Sequence, residues 1–593
     1  MLSRPRPIIA ILLIALFVAA LFVPFLGSSY AIKFATRVFV LAIFVISLDF
    51  LIGVTGLVSF GHAMFFGLGA YALYFVSPNA EAANALIAYP AAMLLAGTAA
   101  AIIGAFCVLT RGFYFIMVTL AFGQMLFSLF HDTKIAAGSD GAYINVKPEI
   151  ALFGRTFLEF ESRFAFYYFC LAALAAVYLL VLALARTPFG RVLQAIRWNE
   201  ERAGALGLNT YSHKLLSFTF AGAIAGFAGV LFATIDGYVS PDLFGWRQSG
   251  IAIMMVVLGG AGTLFGPILG AMLYSAIEEV LKTGSWVGPI ANNWSLALGL
   301  ILIGAVLAFP KGIAGLLERR ERAHGAPVSL EKIKPQVERT QRGQKLEVEG
   351  ITRKFGGLVA VNDVTLDLAP NLVHGIIGPN GAGKTTFINV LSGAIKPTAG
   401  KIRLDGEEIA GKPAYAVARR GLGRSYQRTN IFSPFTVREN CLIAAQARHP
   451  SPWRLLSGKY AEQETAEIAH ALEVTGLGAR ADVRAAHLSH GEQRQLEIAM
   501  LVASGARLLI LDEPLGGMGP EETGRVTGLL RSLATNHTVL LIEHDMDAIF
   551  AAADTLTVLV EGKLLAHGKP EDIRRNRAVR EAYLGRWGQE AAK

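Results

Sequence analysis

Charge is scarce in this sequence: Lys, Arg, Asp and Glu together make up 17% of its 593 residues, where soluble domains carry about a quarter. Mean hydropathy is +0.47, so a large part of the chain needs a solvent other than water. Cysteine is nearly missing. Cys107, Cys170 and Cys441 are the only three, with no metal-ligand spacing and no disulfide framework, and they read as small buried hydrophobes. No long basic run is interleaved with aromatics, so the net charge of +9 does not point to nucleic acid. Many Arg and Lys stand instead at the ends of apolar segments, where cytoplasmic positive charge sets topology. Behind Arg4 and Arg6 an apolar run reaches Leu26 without a small-x-small cleavage site. It reads as a retained first helix rather than a signal peptide.

What is present divides at about Pro310, with apolar residues concentrated before it and charged ones after. The length predicts two or more domains. Apolar segments fall at 7–27, 31–53, 58–76, 86–109, 113–131, 164–185, 213–235, 250–282 and 291–309. With Arg4 and Arg6 inside, six crossings bring the chain back inside at Arg186, and the stretch from there to Lys214 is rich in Arg. Arg111 also falls inside, while the loops 77–84 and 132–163 fall outside. The soluble half must lie inside as well, so the eighth segment has to enter and leave on one side. Its middle reads Gly259-Gly260-Ala261-Gly262-Thr263-Leu264-Phe265-Gly266-Pro267. Such residues break helices, and irregular backbone at membrane depth survives only inside protein or beside a cavity. A broken helix or re-entrant pair near the translocation path is predicted; the bland alternative is one long, tilted, kinked helix.

A second segment, 53–71, carries small residues at three- and four-residue spacing, which lets helices approach closely. Its His62 either lines or gates a path or is a hydrogen-bonded packing histidine. Asp49 and Gln124 carry the same two readings. The polar stretch 186–209 is helical in pattern and cytoplasmic. Residues 318–345 are charged, contain Pro327 and Pro335, and read as a solvated tether, with a short helix possible up to Arg322. The expected organisation is a transmembrane domain over 1–317, that linker, and a soluble domain over 346–593.

In the soluble half, Val373-His374-Gly375-Ile376-Ile377 runs into Gly378-Pro379-Asn380-Gly381-Ala382-Gly383-Lys384-Thr385-Thr386 and then a helix-like run. This is G-x-x-x-x-G-K-[ST] between strand and helix, so 346–593 is expected to be a nucleotide-binding domain and the fold class a polytopic α-helical membrane domain followed by an α/β P-loop NTPase. Its glycines let backbone N–H groups close around phosphates at a helix N-terminus. Lys384 reaches the β- and γ-phosphates, and Thr385 offers a hydroxyl to Mg²⁺. Downstream, Leu508-Leu509-Ile510-Leu511-Asp512-Glu513 is an apolar strand ending in two carboxylates: Asp512 to help hold Mg²⁺, Glu513 to polarise the attacking water. Leu488-Ser489-His490-Gly491-Glu492 precedes it, and a strand ending in Glu543-His544 follows.

In this order the motifs resemble those of the ABC ATPase family, over about 345–585. The resemblance implies that Gln427 senses Mg²⁺ and contacts the permease, and that Ser489 and Gly491 meet ATP across a dimer interface. It implies that His544 is the γ-phosphate switch, and that Phe355 stacks on adenine unless it is a core phenylalanine. The family's dimer-contact loop often ends in Asp where this chain has Gly519. Glu201-Arg202-Ala203 followed by Gly207 resembles the EAA-x-x-x-G coupling element of ABC importers, or is an ordinary amphipathic loop.

The chain is also similar to branched-chain amino acid importers. Gly56-Leu57-Val58-Ser59-Phe60-Gly61-His62-Ala63, the run 111–122, Gly138-Ser139-Asp140-Gly141 and Pro188-Phe189-Gly190-Arg191 resemble the LivM-type permease. Phe355-Gly356-Gly357-Leu358, the run 514–522 and Glu581-Ala582-Tyr583-Leu584-Gly585 resemble the LivG-type ATPase. The resemblance implies ATP and Mg²⁺ as cofactors, a LivH-like second permease, a LivF-like second ATPase and a periplasmic binding protein. It implies membrane lipid as surroundings, no nucleic acid, and an inner-membrane location with N-terminus and ATPase in the cytoplasm. Relatives of this type serve branched-chain amino acids, urea, amides and other small solutes. Two rival readings are an ABC exporter half-transporter working as a homodimer and a membrane-tethered signalling ATPase.

Overall fold

The structure, a computed structural model, describes residues 7–77, 81–133, 135–153, 155–283, 293–317, 342–448, 462–516 and 519–584. Two compact units divide it: Met1–Arg197 with Tyr211–Glu321, and Trp198–Thr210 with Arg322–Lys593. The expected tether falls outside the described residues as far as 341, as do residues 318–322 of the helix considered up to Arg322; before them the helix Trp294–Ala308 ends and a four-residue helix, Ala314–Leu317, follows.

The first unit is helical. Its helices are α1 (Pro7–Phe22), α2 (Ser29–Asp49), α3 (Ala63–Val76), α4 (Ala85–Cys107), α5 (Phe113–Asp132), α6 (Arg163–Arg186) and α7 (Pro188–Trp198). A short α8 (Glu200–Ala205), which belongs to the second unit, precedes α9 (Thr210–Asp236), α10 (Trp246–Gly259), α11 (Gly266–Thr283) and α12 (Trp294–Ala308). Polar side chains fix several starts: Ser28, Asn84 and Ser162 accept backbone N–H bonds from Ala31, Leu86 and Ala165, satisfying donors that a first turn leaves orphaned. Among the described residues five helical stretches are long and apolar enough to cross a membrane: Ser29–Thr55, Ala85–Cys107, Phe113–Asp132, Arg163–Arg186 and Thr210–Asp236. The segment expected at 58–76 is helical only from Ala63, because the chain leaves α2 through a π-helical turn, Phe50–Thr55, and a left-handed Gly56.

The small residues of α3 do what their spacing predicts. A Cβ on Gly69 would lie 2.0 Å from the carbonyl oxygen of Gly226, and one on Gly229 would lie 1.9 Å from that of Phe66. The backbones of α3 and α9 therefore touch, an approach that only glycine permits. Four short strands, β1 (Ala142–Tyr143), β2 (Glu149–Leu152), β3 (Arg155–Glu159) and β4 (Tyr238–Val239), form two antiparallel pairs, β1–β4 and β2–β3, in the connections.

The second unit is the α/β domain. An antiparallel sheet, order β6-β5-β8-β9, comprises β5 (Leu346–Phe355), β6 (Leu358–Leu368), β8 (Ala399–Leu404) and β9 (Glu407–Glu408). A second sheet has the order β10-β11-β12-β7-β13-β14, with β7 (Val373–Ile377), β10 (Leu422–Arg424), β11 (Leu508–Asp512), β12 (Thr538–Ile542), β13 (Thr555–Val560) and β14 (Lys563–Gly568). It is parallel except for β14. Strands β7, β11 and β12 are buried at every position, as strands covered on both faces must be. Leu508, Ile510, Leu540, Ile542 and Ile376 join Phe387 and Ile388 of the P-loop helix in one apolar core.

Candidate nucleotide site and permease elements

Strand order assembles the site. Ile377, Asp512, Ile542 and Arg424 end β7, β11, β12 and β10, so the residues that follow them in sequence emerge side by side at the carboxyl ends of adjacent parallel strands, where open α/β sheets bind ligands. After β7 the chain enters the loop 378–383 and then the helix Lys384–Leu391. Gly381 and Gly383 have φ of +83° and +92°, which favour glycine. A Cβ on Gly383 would meet the carbonyl oxygen of Ala360 at 2.3 Å. The loop thus fits a phosphate-sized anion at a helix N-terminus. Lys384 is buried, and its ammonium donates to the Gly378 and Pro379 carbonyls at 2.5 and 3.2 Å. Burial lowers its pKa, opposed by the Glu513 and Asp512 carboxylates.

Three of the motif side chains meet at Glu513. The Gln427 amide donates to one carboxylate oxygen at 3.0 Å, and His544 Nε2 lies 2.9 Å from the other. Glu513 itself has φ +50°, an uncommon backbone for a non-glycine residue that concentrates at functional sites. Neighbouring Asp512 is buried, which raises its carboxyl pKa, while the Arg424 guanidinium at 3.9 Å opposes the rise. Among the described residues no group of three or more His, Cys, Asp and Glu could hold a metal alone. Mg²⁺ takes few protein ligands and draws the rest from phosphates and water, and Thr385, Gln427 and Asp512 are the oxygen-bearing side chains expected for it.

Ser489 caps the helix His490–Ala503 in a capping box with Glu492, and Arg480 holds the Glu492 carboxylate at 3.0 Å. Both Ser489 and Thr385 are exposed. Phe355 is 41% exposed at the end of β5, with the Arg353 guanidinium 4.5 Å from its ring centroid; it is not a core side chain. Gly519 starts the helix Pro520–Ala534, and Gly517 and Met518 lie outside the described residues.

Sequence reasoning missed four buried charges. Glu543 lies beside His544 and accepts the Leu515 N–H at 2.7 Å. Glu497 and Arg494 pair at 3.1 Å on the helix behind the signature, a spacing of three that was readable. Arg424, at the end of β10, bonds Asn389 and Ser392 around the P-loop helix; nothing local signals it. The segment Trp198–Thr210 belongs to the α/β unit. In it Asn199 caps α8, and Arg419 donates to the Gly207 carbonyl at 2.8 Å.

In the helical unit the eighth apolar segment is a hairpin, not one kinked helix. The chain turns at Gly260, Gly262 and Leu264, with φ of +111°, +83° and +61°. α10 and α11 then run back along each other so tightly that a Cβ on Gly270 would fall 1.9 Å from the Met255 oxygen. Asp49 explains the turn: one carboxylate oxygen accepts the Gly262 N–H at 2.7 Å and the other the Leu264 N–H at 3.2 Å. Arg197, at the end of α7, donates to the Gly53 carbonyl. Its stem fills the space that a Cβ on Gly56 would need, 2.8 Å away. His62 is a packed side chain, fully buried, with Nε2 2.9 Å from Ser47 Oγ and its ring stacked on Phe44. Gln124 is exposed on α5. All three cysteines are buried and free.

Comparisons with known proteins agree with both halves. The family model of the branched-chain amino acid transport system permease component matches residues 30–309. The ABC transporter model matches 361–516, and that of branched-chain amino acid ATP-binding cassette transporters matches 563–586. The high-affinity branched-chain amino acid transport ATP-binding protein BraF of Pseudomonas aeruginosa is 45% identical over 250 residues, 40% of this chain and 97% of that protein. Its counterpart LivG of Escherichia coli is 41% identical over 250 residues, again 40% of this chain and 97% of that protein. A solved ATP-binding cassette of an ABC transporter, in its ADP conformation, aligns with 41% of this chain and 99% of its own at 28% identity, with a TM-score of 0.37.

Proposed function

The chain belongs to the branched-chain amino acid family of ABC transporters, with a permease and an ATPase in one multi-pass membrane polypeptide, and from that premise we propose that it is an ATP-driven importer subunit. Its solutes are branched-chain amino acids or related small solutes such as urea or amides, delivered by a periplasmic binding protein. The complex lies in the inner membrane with the N-terminus and ATPase domain in the cytoplasm, and contains a LivH-like second permease and a LivF-like second ATPase. The permease occupies 1–317, the tether 318–345 and the ATPase 346–593.

The observation that carries the reading is the convergence of Gln427 and His544 on Glu513 beside the Lys384 loop, in one unit with the cytoplasmic segment 198–210 of the permease. The loop 378–386 holds the phosphates through backbone N–H groups, Lys384 and Thr386, and Phe355 stacks on adenine. Thr385, Asp512 and Gln427 would hold Mg²⁺, which when bound would neutralise phosphate charge. Glu513 orients the attacking water and accepts its proton, and His544 faces the γ-phosphate. Ser489 and Gly491 complete the partner cassette's site, so two cassettes make the working unit. Their closure displaces the coupling segment, and hydrolysis resets it.

The test is uptake of labelled leucine, isoleucine and valine by proteoliposomes containing the full complex and its binding protein. Glu513→Gln should bind ATP normally, with hydrolysis down by about 10²–10⁴ and uptake abolished. Uptake that continues undiminished in that variant, or runs outward, would refute the proposal.

A further inference from the structure

The coupling segment departs from its own pattern at Arg202, which stands where the EAA-like spacing has an alanine. Arg202 is fully buried in the ATPase unit. One end of its guanidinium donates to the Arg424 carbonyl at 2.9 Å and lies 3.8 Å from Glu497 Oε1. The other donates to the Glu497 carbonyl at 3.2 Å. An arginine with no exposed surface must be paired and hydrogen-bonded to be tolerated at all, so this insertion is costly unless its partners are held in place.

Those partners surround the glutamine loop. Glu497 accepts the Tyr426 N–H at 3.2 Å through the oxygen that faces Arg202, and pairs with Arg494 at 3.1 Å through the other. Arg494 in turn donates to the carbonyls of Tyr426, at 2.9 Å, and of Gln427. Ser425 receives the Asp512 N–H on its hydroxyl at 3.1 Å. Residues 424–427 are thus fastened to the Arg202–Glu497–Arg494 triad on one side and to the Asp512 strand on the other. At their end the Gln427 amide reaches Glu513 at 3.0 Å. Among the described residues the Nε of Arg202, Arg424 and Arg494 have no hydrogen-bond partner.

We propose that Arg202 is a positioning residue, through which movement of the permease's coupling segment shifts residues 424–427 and so sets the Gln427 amide against Glu513. The triad makes this a single unit: Glu497 cannot follow Arg202 without moving Arg494 and the two carbonyls it holds. Contact with nucleotide is not required, so Arg202 acts on the rate at which solute triggers hydrolysis rather than on ATP affinity.

The inference rests on the importer reading, and the experiment separates the two. In the full reconstituted complex Arg202→Lys keeps the charge and the stem but loses the two-pronged donation. The expected result is an unchanged KM for ATP, basal hydrolysis within about twofold, and a loss of solute-stimulated hydrolysis and uptake of about tenfold. Glu497→Gln should give a similar loss, and the double variant no further loss, because residues acting in one unit are non-additive. Backbone amides of 426 and 427 should exchange hydrogen about tenfold faster in Arg202→Lys, with 378–386 unaffected. Full solute stimulation in Arg202→Lys, equal losses of basal and stimulated rates, or additive losses in the double variant would each overturn the inference. If the parent complex took up no solute, the importer reading would fall, while the exchange comparison would still decide the role of Arg202: unchanged exchange at 426 and 427 would end it.

Discussion

At the scale of single residues the proposed roles separate holding a nucleotide from cleaving it. Lys384 faces the phosphate loop, with Glu513 held between Gln427 and His544. Lys384→Ala should therefore cost binding, raising the Kd for a fluorescent ATP analogue by about tenfold or more, the worth of a charge-assisted contact. An unchanged Kd would remove Lys384 from the site. Glu543 offers a test by pH. Burial raises its carboxyl from 4.5 to about 7, only partly opposed by the Leu515 N–H. Between those values the folded protein holds a proton that the unfolded chain has lost, so stability from this group falls as pH rises through the window. Glu543→Gln has no such proton to lose. Its melting temperature should match the parent's near pH 4.5 and exceed it at pH 8; a difference that shrinks as pH rises would contradict the assignment.

At the scale of elements, glycine contacts and one carboxylate set how the helices pack. Gly69→Ala would drive a methyl group to 2.0 Å from the Gly226 oxygen. Separating α3 from α9 should cost about 1–3 kcal/mol, read as a lower melting temperature in detergent. The hairpin between α10 and α11 hangs on Asp49. Asp49→Ala leaves the Gly262 and Leu264 N–H groups without their acceptors, at about 1–3 kcal/mol for the buried Leu264 group and less for the half-buried Gly262 group. Asp49→Asn keeps one acceptor oxygen and should lose less. Equal melting temperatures for the two variants would show that the carboxylate is not the strut of the turn.

At the scale of the whole molecule, much of the ATPase was legible in sequence because its chemistry is local. The loop 378–386 needs its glycines next to its lysine, and a buried strand ending in Asp512-Glu513 announces itself by composition. The broken eighth segment was legible for the same reason, since glycine and proline are local punctuation. His62 and Asp49 were not resolved from sequence. A polar residue in an apolar run has the same look whether it lines a path or bonds to a neighbour, and only the partners decide: Ser47 for His62, two N–H groups in the turn between α10 and α11 for Asp49. Arg202 is the sharpest case. Its segment reads as a polar cytoplasmic loop, yet the side chain is wholly enclosed by residues more than 200 positions away in sequence.

The sequence by itself determined the two solvents of this chain, the order of its nucleotide motifs and the break in its eighth apolar segment, because each depends on residue type and near-neighbour spacing. The tertiary structure alone decided that Gln427 and His544 meet on Glu513, that Asp49 holds a turn formed far along the chain, and that Arg202 is buried against Glu497. The reason is physical: a hydrogen bond or ion pair acts over about 3–4 Å, and only strand order and helix packing bring residues so distant in the chain within that reach.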